Sequence, residues 1–399
     1  GADIASSAIN TVVINTKAHN GLGKVVLRDN SFIKDTIQYG RLNAVRHANG
    51  RDWWMLISER DSPRFYTILI DPQGPRITGQ QTVNHPFRDG VGQCTFSPDG
   101  SRFIVFNPVD FKPDGADFAI FDFDRCTGLL SNQHHFITTG NFGGTAISPN
   151  GRYAYHNVLD TAWRYDLQAP DVWASRELIA VYDKFKGPFS TYFYLMQLAP
   201  DGKIYSSAPN GVNYLHVIHQ PDEADCQYQQ HGIKLPKYNG FSVPNFPHYR
   251  LGPLDGSPCD TLGLNNDPRA WWRYQQDTLD PLAVVFHDLS YHEPATWQWD
   301  FGDGSPVLKG VRHPEHTYPA AGRYEACLTV SNAYGTHTHC KTLYLGVSPT
   351  DNPVLQAQVV LSPNPFTDRL TLALSTPSLR SPVLRLYDVA GRLVLTERL

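Results

Sequence analysis

Methionine is nearly absent from this 399-residue sequence, with two in the whole chain, and no run of about eighteen apolar residues exists to span a bilayer. A formal net charge of −4, from 34 basic and 38 acidic residues, is too weak a field to hold nucleic acid or an anionic membrane. No C-x-x-C pair occurs among the six cysteines, which argues against a structural zinc site. The opening residues, GADIASSAIN, lack the basic and apolar regions of a signal peptide; if the protein is exported, that signal is removed or lies outside this sequence. Also missing are H-E-x-x-H, G-x-S-x-G, the P-loop and the dinucleotide fingerprint. No catalytic or cofactor-binding residue is therefore expected, and the balance of the sequence is against an enzyme.

What the chain has in quantity is turn residues and rings. Gly 31 and Pro 30 are high for a helical protein, and aromatics reach 12%. Short aromatic-rich segments punctuated by such residues point to an all-β chain. Within the first 250 residues they repeat. The turns HANG, FSPDG, ISPNG and LAPDG end at Gly50, Gly100, Gly151 and Gly202, at spacings of 50, 51 and 51 residues. Each turn runs at once into a strand: RDWWMLIS, RFIVFN, RYAYHNV and KIYSSA. A period near 50 with about four short strands per unit predicts a β-propeller. Blades packed on both faces explain strands that are apolar on both sides, and Trp53 and Trp54 are expected in the core.

Residues 1–38 read as the last strands of a preceding blade, giving four units and a partial one. The pattern, with HANGRDWW, FDRCTG and GPLDGSPCDTLG, resembles repeat regions of large exported surface proteins. That resemblance implies further blades upstream and a chain cut at both ends. A five-bladed ring completed by NGFSVPNF is the competing expectation.

After a Gly-, Pro- and Asn-rich linker at 251–265, the pattern changes. Trp299-Asp300-Phe301-Gly302-Asp303-Gly304, His316-Thr317-Tyr318, Gly322-x-Tyr324 and Val330-x-Asn332 resemble the PKD domain, an immunoglobulin-like β-sandwich, over 266–347. Asp300 and Asp303, three apart, invite a calcium site; the alternative is that they bond turn amides, since calcium needs six or more oxygens and two are visible. The closest histidine pairs, His313/His316 and His337/His339, bring no third metal ligand with them.

An even number of cysteines in an exported protein favours disulfides. Cys327 and Cys340 flank NAYG, a two-residue hairpin turn at Ala333-Tyr334. Counting outward from a hydrogen-bonded 332/335 pair puts them opposite each other at a non-hydrogen-bonded position, so a cross-strand disulfide is predicted. Cys226 with Cys259 is the second expected pair, and Cys94 and Cys126 are left unpaired.

A second linker, 348–356, leads to the tail, 357–399. Its Pro363-Asn364-Pro365 opening, RLTLAL strand and Tyr387-Asp388-Val389-Ala390-Gly391-Arg392 turn resemble the C-terminal sorting domain of proteins exported by type IX secretion. The resemblance makes Pro363, Asn364, Pro365, Tyr387, Asp388, Gly391 and Arg392 the sorting signal and the secretion machinery a partner. The family pattern continues beyond Leu399, so a truncated domain with an exposed edge is expected.

The expected fold is all-β: a partial or complete propeller, an immunoglobulin-like sandwich and a small truncated C-terminal β-domain. The expected role is that of a non-enzymatic secreted or cell-surface protein, an adhesin, binding platform or surface-assembly component, with glycans or surface proteins as partners. A secreted propeller hydrolase acting on polysaccharide or protein, and cargo held by the translocon, are the alternatives.

Overall fold

A computed structural model describes residues 7–21, 23–87, 92–108, 115–138, 142–277 and 279–346, and four strands between 358 and 398. The chain forms two compact units. One is Gly1–Arg269 with Tyr291–Pro294 and Asn332–Gly335; the other is Ala270–Ser290, Ala295–Ser331 and Thr336–Leu399.

The first unit opens with a hairpin of β1 (Ile9–Asn15) and β2 (Lys24–Ile33). Four four-stranded antiparallel meanders follow, every strand pairing with its neighbour in sequence. The first holds β3 (Ile37–Arg46), β4 (Trp53–Glu59), β5 (Ser62–Asp71) and β6 (Gly74–Phe87). The second holds β7 (Gln93–Phe96), β8 (Arg102–Pro108), β9 (Ala116–Asp124) and β10 (Leu129–Thr138). The third holds β11 (Gly143–Ile147), β12 (Tyr153–Val158), β13 (Thr161–Asp166) and β14 (Glu177–Val181). The fourth holds β15 (Met196–Leu198), β16 (Ile204–Ser206), β17 (Gly211–Ile218) and β18 (Tyr228–Gly240). The first strands lie side by side, β3 by β7, β7 by β11 and β11 by β15, so the sheets are the blades of a propeller.

The repeated turn joins strands one and two of every blade and has one hydrogen-bond pattern. The amides of His47, Ser97, Ser148 and Ala199 donate to Asp52, Arg102, Tyr153 and Lys203 carbonyls at 2.8–3.0 Å. The amides of Gly50, Gly100, Gly151 and Gly202 donate back to the first residue of each turn. All four glycines take φ of 75–80°, the left-handed region that a side chain resists. Asn49, Asp99, Asn150 and Asp201 each accept the amide two residues on, the Asx turn that selects Asn or Asp there. The fourth turn is one residue tighter: Leu198 faces Ile204, where Phe96 faces Phe103.

Blades bury both faces against neighbours, so β9 is buried almost throughout whereas the outermost β10 is mostly open. Trp54, Leu56, Phe65 and Phe87 of the first blade pack with Phe96, Phe103, Phe121 and Phe123 of the second. Ile9, Phe32 and Ile33 of the hairpin join Ile57, Tyr66 and Ile68 on the first blade's other face. Only one of the paired tryptophans is a core residue. Trp54 is buried, while Trp53 is half-buried between the Arg46 guanidinium, 4.4 Å from its ring, and Tyr249.

Near the axis Gln93 ties three blades together. Its Oε1 accepts the amides of Thr145 and Met196, each at 3.1 Å, and its Nε2 donates to the Met196 carbonyl. Gly144 has to be glycine here, because a Cβ would lie 2.5 Å from that Oε1 and 2.6 Å from Leu195 Cα.

After β18 the chain returns over the ends of the inner strands. His248 bonds the Phe96 carbonyl at 3.2 Å, Arg46 donates to the Tyr249 carbonyl at 3.0 Å, and Arg250 donates to the Pro200 carbonyl at 3.3 Å. The Leu254 amide donates to Ala48 at 2.8 Å. Arg125 lies buried beneath, donating to the carbonyls of Arg46, Asp99 and Gly252. Burial lowers its pKa to about 10, so it remains a cation.

This return path overturns one expected pairing. Cys259 is joined to Cys126, on the β9–β10 turn, with Cα atoms 5.6 Å apart; it is not joined to Cys226. Cys226 is a free thiol buried with Tyr155, Met196 and Ile218 between the third and fourth blades. The 247–260 segment crosses from the last blade to the first two, which carries Cys259 away from Cys226 to Cys126. Cys94 is free and buried.

The second unit is a two-sheet sandwich. One sheet is β19 (Trp272–Gln276), β20 (Ala283–Asp288) and β23 (Glu315–Thr317). The other, in the order β22-β21-β24-β25, is built from β21 (Thr296–Asp300), β22 (Leu308–Lys309), β24 (Gly322–Ser331) and β25 (Thr336–Leu345). Alternation on β24 sends Ala326, Leu328 and Val330 inward. Inside, Trp272 and Trp299 meet edge to face at 5.6 Å, with Phe286, Phe301 and Tyr318 around them. Asn332 donates to the Gly335 carbonyl at 3.0 Å and closes the hairpin. Cys327 then faces Cys340, bonded to it with Cα atoms 4.0 Å apart.

In the tail, β26 (Gln358–Ser362) pairs with β27 (Thr371–Ser375), and β28 (Val383–Tyr387) with β29 (Leu393–Arg398). Tyr387 ends β28 opposite Leu393. Pro363, Asn364, Pro365, Asp388, Gly391 and Arg392 lie outside the described residues.

Candidate functional site

The two acidic residues singled out in the sandwich serve its turns. Asp300 Oδ1 accepts the Gly302 amide at 2.9 Å. Asp303 Oδ1 accepts the Ser305 amide and hydroxyl at 3.0 and 2.5 Å, and its Oδ2 pairs with His316 Nε2 at 2.7 Å. Phe301 stacks on that imidazole at 3.9 Å. Burial alone would raise the Asp303 pKa; the hydrogen bonds from Ser305 and His316 outweigh it and hold the carboxyl at about 2. The other histidines noted above have structural partners too. His313 Nδ1 accepts the Asp288 amide, His337 Nδ1 accepts the Ala270 amide, and His339 stacks on Trp271 at 4.5 Å. Among the described residues no three His, Cys, Asp or Glu side chains converge as a metal ion requires.

The side chains that do converge on open space lie elsewhere, in a cleft of about 440 Å³ between the second and third blades. The buried Ile120, Leu167 and Val172 underlie it, Ala169 and Pro170 contribute one wall, and polar groups come from β8, β9 and β10. Arg102 on β8 and Asp122 on β9 face each other across the strand pair and form an ion pair of 2.5 Å, each side chain about one third exposed.

A bulge supplies the third polar group. Ser131 pairs with Asp122 and His134 with Ile120, so Asn132 and Gln133 together oppose Phe121. Extra residues of this kind re-aim side chains. Asn132 takes φ 48° and donates from Nδ2 to Asp122 Oδ2 at 2.5 Å. Gln133 is oriented from the other side: its Oε1 accepts the amides of Asn84 and His85 on β6, at 2.7 and 3.2 Å. Its Nε2 has no acceptor among the described residues.

The opposite wall is braced by its own short-range bonds. Asp166 accepts the Gln168 amide, Asp171 accepts the Ala174 amide, and Ser175 Oγ donates to the Val172 carbonyl at 2.7 Å. Arg152 pairs with Asp166 at 2.8 Å and anchors the loop base. Both walls of the cleft are thus braced by their own hydrogen bonds.

None of Arg102, Asp122 and Asn132 was singled out from sequence. Asp122 carried a faint sign, as a charge interrupting the apolar run FAIFDFD; Asn132 carried none, because a bulge depends on pairing that sequence does not display.

Residues 274–347 match the family model described as the PKD domain. No curated protein matches the chain. The PKD1 domain of the Vibrio cholerae metalloprotease PrtV is 26% identical over 20% of this chain and 98% of that domain, with a TM-score of 0.18. TolB from Acinetobacter baumannii is 12% identical, covering 81% of this chain and 58% of that one, at a TM-score of 0.31. A Lactobacillus plantarum protein is 13% identical, covering 100% and 93%, at 0.38. The molecule is a multi-domain, β-rich protein in which propeller blades precede a PKD domain. A PKD domain together with two disulfides is typical of extracellular or surface proteins. Among the described residues, no helix is long and apolar enough to cross a membrane.

Proposed function

We propose that this protein is a non-enzymatic binding component displayed outside the cell and delivered by type IX secretion. It acts as an adhesin, binding platform or surface-assembly component, with the PKD domain as a spacer and glycans or surface proteins as partners. The observation that carries this reading is the preformed cleft with its Arg102–Asp122–Asn132 network, set on a propeller stapled by Cys126–Cys259. A rigid site costs little ordering on binding. Export is supported by the PNP and YDVAGR segments and by the two strand pairs of the tail.

Two experiments test it. Residues 357–399 fused to a reporter, in a bacterium with type IX secretion, should send the reporter to the surface; retention equal to a tail-less control would refute the route. The whole chain should bind cells or surface extracts without consuming substrate. Turnover of a polysaccharide or protein by this chain, without stable binding, would replace the platform with a secreted hydrolase. Copurification with the translocon as the sole association would make it cargo.

A further inference from the structure

We infer that the cleft between the second and third blades is a binding site for a neutral carbohydrate, with Arg102, Asp122 and Asn132 recognising adjacent hydroxyls. The inference rests on the binding-platform reading and gives that platform a ligand class.

Charge comes first. Arg102 and Asp122 are paired at 2.5 Å and cancel each other, so an anionic ligand would meet the Asp122 carboxylate and a cationic one the Arg102 guanidinium. A ligand without charge meets neither penalty. Hydrogen-bonding capacity comes next. A guanidinium has five N–H donors and no acceptor, a carboxylate only acceptors, and a carboxamide both. Once Arg102 and the Asn132 Nδ2 have each donated to Asp122, Arg102 keeps donors to spare and Asn132 keeps an Oδ1 acceptor that bonds nothing among the described residues. Neighbouring hydroxyls, each able to give and to take one hydrogen bond, complement that mixture.

The lining supplies the remaining requirement. Pro170 and Ala169 present apolar surface beside the polar trio, over the buried Ile120 and Leu167. A sugar ring has the same division, with C–H groups on its faces and hydroxyls around its edge. At about 440 Å³ the cleft is within the range of small-ligand sites, and its size suits a short saccharide. The bulge that introduces Asn132 also completes the network, so one irregularity in β10 creates the acceptor and fixes it.

The test uses the whole chain on an array of neutral oligosaccharides, with sulfated and sialylated glycans and a peptide panel as competing classes. Neutral saccharides should bind, and Asn132→Ala should weaken them about tenfold by removing the Oδ1 acceptor. Ala169→Trp narrows the cleft from its wall and leaves the polar trio intact, so it should abolish binding while the melting temperature stays at the wild-type value. Loss in both variants supports the inference. A preference for sulfated or sialylated glycans, or for peptides, overturns the ligand class and leaves the platform standing. Neutral-glycan binding unchanged by both variants overturns the cleft. Absence of binding to every probe and to cells removes the inference and the platform together.

Discussion

The propeller and the sandwich are both antiparallel β-structures that carry one disulfide each, yet they are specified in opposite ways. The sandwich is written locally. A two-residue turn aligns Cys327 with Cys340 across 13 residues, and the motif Trp299–Gly304 contains both a core tryptophan and the carboxylate that braces the turn. The propeller is written periodically, as one turn used four times, and its last blade is tied to the first two by a return segment that no repeat contains. Its disulfide spans 133 residues. Local encoding yields single contacts that can be read off; periodic encoding yields the architecture but not what happens between units.

The disulfides expose this contrast most strongly. In the chain-entropy account a loop as long as that of Cys126–Cys259 is worth about 5 kcal/mol, and the short Cys327–Cys340 loop about 3 kcal/mol. Replacing Cys126 and Cys259 by serine should therefore depress the blades more than the matching change depresses the sandwich. Hydrogen exchange resolved by peptide measures each unit in one sample. Equal losses would show that the return segment is held by its hydrogen bonds and that the staple adds little.

Trp299→Ala should come next, at about 4 kcal/mol, because it empties the centre of a small core where Trp272 and Phe286 cannot collapse far. The loss should stay in the sandwich peptides; unfolding of blade peptides at the same denaturant concentration would contradict independent specification.

Acid should act on the two units through different groups. Burial among Phe106, Phe118 and Tyr165 lowers His156 to about 3. The unfolded chain takes up that proton near pH 6.5, so the blades lose stability as pH falls from about 6.5 towards 3. Asp303 is depressed instead, to about 2. Its contribution, about 2 kcal/mol, is complete above pH ~4 and lost as pH falls through 2. His156→Gln should make the acid limb of the blades shallower, leaving the share of His216, which burial lowers to about 4, and Asp303→Asn should remove the loss of the sandwich below pH ~4, each without altering the other.

The smallest effect tests the repeat itself. Gly151 and Gly100 share φ 75°, but a Cβ at Gly151 meets nothing within 4 Å, whereas one at Gly100 comes 2.8 Å from both Arg125 Cδ and Val45 Cγ2. Gly151→Ala should cost about 1 kcal/mol, the left-handed penalty alone, and Gly100→Ala clearly more. Equal costs, by thermal unfolding, would mean that the crowding over Gly100 relaxes freely.

Much of this was legible beforehand for definable reasons. Turn glycines at 50, 100, 151 and 202 are visible because left-handed backbone restricts residue choice at one position. Cys327 and Cys340 are visible because a two-residue turn fixes register for the whole hairpin. Trp53 was misread because its neighbour Trp54 points the other way along the strand, and only Trp54 faces the second blade. Cys259 was misassigned because its partner is chosen by a path through space. Beyond the faint sign at Asp122 the cleft was not legible: Arg102, Asp122 and Asn132 lie on three different strands, and no spacing rule unites them.

By itself, then, the sequence determined an all-β chain, the blade period with its turns, the PKD-like sandwich and the hairpin that unites its cysteines. All of these are imposed by backbone preferences acting over a few residues. Tertiary structure alone decided that Cys126 takes Cys259, that the 247–260 segment crosses the inner strand ends, and that a bulge in β10 turns Asn132 to Asp122. Those outcomes depend on which distant surfaces come to rest against each other, and packing, not local preference, makes that choice.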